Sequence, residues 1–155
     1  MNSVQDKINE LRDREKKIKE MGGPERIAAQ HGKGKLSARE RIEKLFDPGT
    51  FREIDMFVKH RCNNFNMQKI DIPADGVITG HGLVNGRPVF AYSQDFTSRG
   101  GSLGEKHAEK IVKVMDLALK AEVPVVGMND SGGARVEEGV DALYGYGNIF
   151  FRNSR

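Results

Sequence analysis

The chain has 155 residues, of which 37% are hydrophobic and 30% charged, and its formal net charge is +3. This length suits one domain with a real hydrophobic core, and the interleaving of basic and acidic residues disfavours nucleic-acid binding. The single Cys62 excludes an internal disulfide and a cysteine metal cluster. No apolar run reaches the length of a membrane span and no signal core is visible, so the cytoplasm is the expected compartment.

The first 50 residues predict a helical arm. Apolar positions recur at helical spacing over residues 3–21, and a glycine pair ends that helix. Pro24 suits the first position of a second, short helix. Ser37 and Glu40 have the spacing of a capping box, which predicts the start of a third helix. We expect residues 1–50 to pack as an arm on the larger remainder of the chain.

Strands joined by a tight turn follow the arm. Residues 51–58 are typical of a strand. Asn85-Gly86 favours the positive φ angles of a type I′ turn, so the runs 76–83 and 87–93 on either side predict a β-hairpin. The hairpin therefore supplies the first long strands of the predicted sheet.

An α/β pattern continues from the hairpin. Ser102 and Glu105 have the spacing of a second capping box, which predicts the start of a long helix. That helix leads to a buried strand over residues 123–128, and a final helix is predicted over 136–151. A helix that connects two strands is typical of a parallel pair, so we expect an α/β fold with a parallel contribution to its sheet.

The loop between the last strand and the last helix is the first candidate site. Residues 129–135 read Asn-Asp-Ser-Gly-Gly-Ala-Arg. Backbone N–H groups in such a loop point at whatever lies above the strand end, which suits an anion or a developing oxyanion. The alternative is a plain strand-to-helix turn that needs glycine for its dihedral angles, and spacing alone favours this turn.

Two further segments are candidates for ligand contact. The loop Gly100-Gly101-Ser102 is suited to line a phosphate or pantetheine path, or else it is the flexible entry to a capped helix. The basic segment 32–35, with Arg39 and Arg41, can meet the phosphates of a nucleotide-like ligand. A solvated loop and helix face is the more ordinary interpretation of these basic residues.

Side-chain catalysis finds little support. Ser131 matches only half of the nucleophile-elbow pattern, since Asn129 stands where the first glycine belongs. The four histidines have no metal-ligand spacing, so no metal site is expected; His107 falls within a helix, where it can face solvent. A Ser–His pair is therefore disfavoured.

The charged residues around the loop also have a plain interpretation. Asp130, Arg135 and Glu137 lie close together in the sequence. We expect them to form a local ion-pair and capping group rather than to act as acid or base catalysts.

Several segments together resemble the carboxyltransferase (beta) subunit of biotin-dependent acyl-CoA carboxylases of the propionyl-CoA carboxylase type. They occur in the family's order and cover nearly the whole chain, although each alone would be weak. The matching segments are residues 34–42, 45–51, 93–97, 100–103, 129–135, 138–143 and 150–153. The resemblance implies an α/β fold of the ClpP/crotonase-like spiral type. In that fold residues 51–155 would be the first, truncated part of the N-terminal carboxyltransferase domain.

The resemblance also implies site residues. By topological analogy to crotonases, backbone N–H groups of Gly133 and Ala134 would stabilise the thioester oxyanion. The residues expected to contact substrate are Ser131, Gly132, Gly100 and Gly101.

The implied activity moves a carboxyl group from carboxybiotin to the α-carbon of a short-chain acyl-CoA, with propionyl-CoA as the first choice. Biotin would be carried by a biotin carboxylase or carrier subunit and would supply the base, so this chain would bind none covalently and need no catalytic Ser, His or Cys. The family assembles as hexamers. The alternatives are the carboxyltransferase of a sodium-pumping methylmalonyl-CoA decarboxylase and a non-catalytic docking module. Since the chain stops before the family's second oxyanion loop, we expect it to be inactive alone.

Overall fold

The computed structural model describes residues 3–154. The helices are α1 (Val4–Lys19), α2 (Pro24–His31), α3 (Ala38–Leu45), α4 (Glu105–Ala121) and α5 (Val140–Asn153), and the strands are β1 (Arg52–Ile54), β2 (Val77–Val84), β3 (Arg87–Gln94) and β4 (Val125–Met128). Short 3-10 turns lie at residues 64–69, 73–76, 99–101 and 136–138.

The three predicted helices of the arm are present. Ser37 caps α3, since its hydroxyl accepts the Glu40 N–H while the Glu40 carboxylate accepts the Ser37 N–H, and this confirms the predicted capping box. Helix α3 packs on the sheet through Ile42 and Phe46, whereas α1 has no buried residue. The boundary at residue 50 between arm and body stays a prediction.

The four strands form one mixed sheet in the order β1-β2-β3-β4. The predicted hairpin is confirmed: β2 and β3 pair antiparallel, and Asn85 and Gly86 have φ angles of 51° and 75°. Asp47 fixes this turn from outside, because its carboxylate accepts both turn N–H groups. Strand β4 runs parallel to β3 after the α4 crossover, as the α/β pattern predicts.

The sheet is covered on both faces. Alternate residues of β2 point to opposite sides, so Ile78 joins one apolar cluster and Val77 the other. The first cluster packs α3 under the sheet, and the second packs α4 and α5 above it through Ile111 and Ile149. Packing on both faces fixes the positions of β3 and β4, and therefore also the positions of the loops at their ends.

Three predicted elements are shorter than the pattern suggested. Strand β1 ends at Ile54 because Asp55 has a positive φ of 58°, which interrupts the extended backbone predicted to residue 58. Strand β4 begins at Val125 rather than at residue 123. The final helix is broken at Gly139, whose φ is 55°, so that α5 begins at Val140 after a 3-10 turn.

The described residues contain neither a membrane-spanning helix nor a cluster of metal ligands. Of the helices described, none is long and apolar enough to cross a membrane. Within residues 3–154, no group of three or more His, Cys, Asp or Glu side chains is placed to hold a metal ion.

Candidate functional site

The two predicted glycine loops lie side by side. The Gly132 N–H donates to the Gly100 carbonyl over 2.9 Å. A methyl group at Gly101 would overlap the backbone oxygen of Asp130, and Gly101 itself has a φ of 62°. Glycine is therefore required at position 101 both by its dihedral angle and by the close approach of the second loop.

The backbone on either side of Ala134 is bonded to Leu103. Leu103 donates its N–H to the Gly133 carbonyl and accepts the Arg135 N–H, each over 2.9 Å, which makes a single parallel bridge opposite Ala134. In such a bridge, the intervening residue turns its own N–H away from the partner. Within residues 3–154, the Ala134 N–H has no hydrogen-bond acceptor.

Gly133, the other predicted donor, differs from Ala134. Its N–H donates to the Ser131 hydroxyl over 3.1 Å, and its φ is 111°, a conformation that favours glycine. The Ser131 hydroxyl is thereby used within the loop. None of the four histidines forms a hydrogen bond with Ser131 in the described part of the chain.

Three of the predicted site residues line a common cavity. Gly100, Gly132 and Ala134 lie in the wall of a cavity of about 550 Å³. The other residues that line it are Arg26, Phe96, Thr97, Arg99, Ser102, Arg135, Val136 and Glu137. The structure therefore brings both glycine loops to one cavity, whereas Gly101, Ser131 and Gly133 are not among its lining residues.

A buried cluster of charges lies under the loop. The Arg135 guanidinium is fully buried and donates to Asp75 over 2.6 Å and to Glu138 over 2.8 Å. It also donates to the Ser102 carbonyl over 2.9 Å, and so ties the two loops together from beneath. Burial raises the pKa of Asp75 above its ordinary value, although Arg135 opposes that shift.

His107 belongs to this cluster, and the prediction that it can face solvent is wrong. Its Nδ1–H donates to the Asp75 carbonyl over 2.8 Å, and its Nε2 accepts from Gln94 over 3.1 Å, so the ring is neutral with the proton on Nδ1. Burial, with a smaller effect of Arg135, lowers the pKa of His107 to about 3. One helical turn on, burial lowers the pKa of Lys110 to about 8.

Glu138 replaces the predicted second capping box. The N-terminal residue before α4 is Gly104, which has no side chain for capping, and the Glu105 N–H instead donates to the Glu138 carboxylate over 2.6 Å. Ser102 fails as a cap because it lies in the extended segment before Leu103, with its hydroxyl toward Arg135 at 3.4 Å. The predicted helix is therefore confirmed, but the side chain that accepts its N-terminal N–H belongs to Glu138 and not to Ser102.

The charged residues of the loop do not pair with one another, which corrects a further prediction. Asp130 binds Arg41 and Lys35 of the arm. Glu137 pairs with Arg99, across the cavity edge. A backbone hydrogen bond, helped by Arg99, holds the pKa of Glu137 below its ordinary value, so this carboxylate is ionised at neutral pH and is a poor base.

The partners of Arg135 were missed by sequence reasoning. Asp75 and Glu138 gave no catalytic or ligand-binding signal. Asp75-Gly76 gives only a local turn signal, and nothing in the sequence joins position 75 to a residue 60 positions later.

The mixed sheet, its crossover helix and the glycine-lined cavity form a partial α/β domain. Its structural neighbours have carboxyltransferase (crotonase-like) folds. The structure agrees closely with crystalline transcarboxylase 12S, solved as a hexamer with methylmalonyl-CoA and methylmalonic acid bound. The TM-score is 0.97 at 46% identity, over 99% of this chain and 30% of that chain.

Sequence comparison gives the family. A family model, described as the carboxyl transferase domain, matches residues 29–155, and the chain belongs to this family. It is 60% identical over 148 residues to the methylmalonyl-CoA decarboxylase subunit alpha of Propionigenium modestum, covering 96% of this chain and 29% of the relative. It is 55% identical over 150 residues to the propionyl-CoA carboxylase beta chain of Roseobacter denitrificans, covering 97% and 29%. The resemblance stated from the sequence is confirmed, and the chain spans less than a third of these relatives.

Proposed function

We propose that this chain belongs to the carboxyltransferase component of an acyl-CoA carboxylase. The enzyme would transfer a carboxyl group from biotin on a partner subunit to the α-carbon of a short acyl-CoA, with propionyl-CoA as substrate. The observation that carries the proposal is the Ala134 N–H, which is without an acceptor in the described residues and belongs to a cavity-lining residue. The likeness to a propionyl-CoA carboxylase beta chain supports the choice of substrate.

The residues of the loop would stabilise negative charge on the thioester oxygen. Deprotonation at the α-carbon moves charge to that oxygen, and a fixed N–H aimed at it lowers the barrier. We assign this role first to Ala134. Gly133 would join it only by releasing its N–H from Ser131, which now holds it at 3.1 Å. The absence of side chains at Gly100 and Gly132 would let the acyl-CoA approach the backbone closely.

The cavity lining fits a reaction whose base comes from elsewhere. The ionisable residues of its lining are three arginines and Glu137, and the Glu137 carboxylate is ionised and paired with Arg99. A fixed donor beside such a lining is what biotin-dependent transfer needs, since biotin, when bound, would supply both the carboxyl group and the base. The chain's own part would be to bind the thioester, orient its carbonyl and hold the charge.

The test is to delete the donor in the enzyme assembled with its biotin-carrying partner. Ala134→Pro removes the N–H, and we expect kcat to fall by about 100-fold or more, as for other single oxyanion donors. Ala134→Ser keeps the N–H and serves as the matched control, with activity near that of the parent. A proline variant that retains its fold, judged by an unchanged melting temperature, and keeps full kcat would contradict the assignment.

A second candidate is the carboxyltransferase subunit of a methylmalonyl-CoA decarboxylase. The 60% identity to the Propionigenium modestum subunit favours it. Direction separates the two, since a carboxylase fixes bicarbonate on propionyl-CoA with ATP, whereas a sodium-pumping decarboxylase consumes methylmalonyl-CoA with a dependence on sodium. A non-catalytic docking module predicts neither reaction, and acyl-CoA would not raise its melting temperature.

The partners follow from the same proposal. We propose a biotin carrier or biotin carboxylase subunit as the partner, and a homo-oligomer like the hexamer of transcarboxylase 12S. Size measurement of the native enzyme tests the assembly. Cell fractionation tests the cytoplasm as the proposed compartment.

A further inference from the structure

Asp130 is bound by the N-terminal arm at three points. Its carboxylate accepts from Arg41 over 2.5 Å, from Lys35 over 3.2 Å and from Gln30 over 3.1 Å. All three donors lie within residues 30–41, and they are 89 to 100 positions away from Asp130 in the sequence. The Asp130 side chain is 10% exposed and that of Arg41 is 18% exposed, so their ion pair is partly shielded from water, whereas Lys35 approaches from the solvent side.

These bonds connect two parts of the molecule that otherwise do not bond to each other. Among the described residues, no other hydrogen bond or ion pair joins residues 24–45 to residues 129–134. The neighbouring basic residues of the arm go elsewhere, since Arg26 binds the Thr97 carbonyl and Arg39 binds Glu53. Asp130 is therefore the attachment point between the arm and the loop.

The backbone of Asp130 is equally constrained. Its carbonyl lies so close to Gly101 that a methyl group there would overlap it. Two residues later, Gly132 donates to the Gly100 carbonyl over 2.9 Å. A shift of Asp130 would therefore move the start of the short loop that ends at Ala134.

The Asp130 carboxylate is ionised at neutral pH. Burial raises the pKa of Asp130, but the hydrogen bonds from Arg41 and Lys35 outweigh it and leave the pKa below its ordinary value. Asp130 is thus an anion that two cations and one amide surround. Truncating it would leave Arg41, whose side chain is 18% exposed, without its counter-charge.

We propose that Asp130 is a positioning residue for carboxyl transfer: by fastening residues 30–41 to the loop, it sets the place of the Ala134 N–H. This inference rests on the proposed function of Ala134. It assigns the arm an indirect role in the chemical step. The bonds of Gln30, Lys35 and Arg41 to the loop go to the Asp130 side chain, so the arm would act on the loop through that side chain.

The experiment uses the enzyme assembled with its partner subunits and compares Asp130→Ala, Arg41→Ala and the double variant. We expect each single variant to lower kcat by about 10- to 100-fold, because a small displacement of a reacting group has that effect. The KM for propionyl-CoA should change little, since binding of the remote CoA is not altered. The double variant should be no worse than either single one, because both break the same contact. Arg41→Lys should restore part of the rate.

The matched control is Asp55→Asn. Asp55 binds Lys113 through both carboxylate oxygens at 2.9 and 2.7 Å, at a place outside the cavity, so its loss should leave kcat unchanged. If Asp130→Ala does not assemble, Arg41→Ala tests the proposal, because it removes the partner residue of the same ion pair. A lower melting temperature with unchanged kcat per active site would overturn the proposal, as would an effect on KM alone.

The outcome is separable from failure of the proposed function. If the unmodified enzyme transfers no carboxyl group, the proposed function is wrong, and the positioning role then rests on hydrogen exchange in the loop. Asp130→Ala must accelerate exchange of the amides at residues 132–135, and no acceleration would overturn it.

Discussion

The loop from Asp130 to Arg135 has two sides that are built differently. The side toward the cavity presents backbone, with Gly132 and Ala134 in the wall and one N–H without an acceptor in the described residues. The side toward the protein interior is made of charges, with the Arg135 guanidinium between Asp75 and Glu138.

The two sides of the loop have different roles: the cavity side would stabilise charge on the substrate, and the buried side holds the loop in position. Backbone donors need no ionisable side chain, and the middle of this loop is held by backbone hydrogen bonds to Gly100 and Leu103. Its side-chain bonds to other segments come from the two ends, at Asp130 and Arg135. Substitutions in the buried charge cluster should lower the free energy of unfolding, and substitutions in the cavity wall should lower kcat.

The largest expected effect on stability comes from Arg135→Met. It removes the cation that two buried carboxylates share, and loss of one partner of a buried ion pair costs roughly 3–5 kcal/mol. The free energy of unfolding, from urea denaturation, is the measurement. The control is Arg152→Met, which breaks the more exposed Arg152–Asp116 pair and should cost at most about 1 kcal/mol. Equal losses in the two variants would mean that the buried cluster is not what holds the loop.

The next largest losses of stability are expected from alanine substitutions at Gly100 and Gly101, which lie in one loop. Gly100 and Gly101 have similar φ angles of 65° and 62°, but a methyl group has open space at Gly100 and overlaps Asp130 at Gly101. Gly100→Ala should cost about 1–2 kcal/mol for the left-handed backbone alone. Gly101→Ala should cost a further 1–3 kcal/mol or so from overpacking against the loop. Denaturation of both variants checks the difference, and a smaller loss for Gly101→Ala would show that the two loops are not in close contact.

His107 gives the smallest effect, which depends on pH. Its folded pKa of about 3 lies below the ordinary value of 6.5, so the unfolded chain binds the proton more readily in between. The stabilising contribution is present above pH 6.5 and is lost as pH falls toward 3, with a slope of up to about 1.4 kcal/mol per pH unit.

The matched variant isolates this contribution. His107→Gln removes the titrating ring, so the free energy of unfolding should depend less on pH between 6.5 and 5. The difference between parent and variant removes the opposite contribution of Asp75, whose raised pKa favours the folded state in acid. Parallel curves would mean that His107 is not held neutral in the fold.

Local features were predicted well because a few adjacent residues decide them. The hairpin follows from Asn85-Gly86, since both residues tolerate the positive φ angles that a type I′ turn requires. The start of α3 follows from Ser37 and Glu40, which satisfy each other's N–H groups. The family was predicted for a different reason, because several short segments along the chain match it in the same order.

The sequence predicted the two small-residue loops of the candidate site but not the side chains that bind Asp130 and Arg135. Small residues at 100–101 and 131–134 mark the loops, and the structure places them together. The partners of the loop ends lie far away in sequence, with Asp75 at 60 positions from Arg135 and Arg41 at 89 from Asp130.

The sequence by itself determined the hairpin turn, the start of α3, the family and the small-residue loops, because each depends on the identity of neighbouring residues or on an ordered set of segments. Only the tertiary structure decided that the Ala134 N–H has no acceptor among the described residues, while the Gly133 N–H donates to the Ser131 hydroxyl. It also decided that Glu138 rather than Ser102 caps α4. These outcomes depend on which distant groups the packed sheet and helices bring within 3 Å or so of each other, and charge pairing over such distances has no local pattern in the sequence.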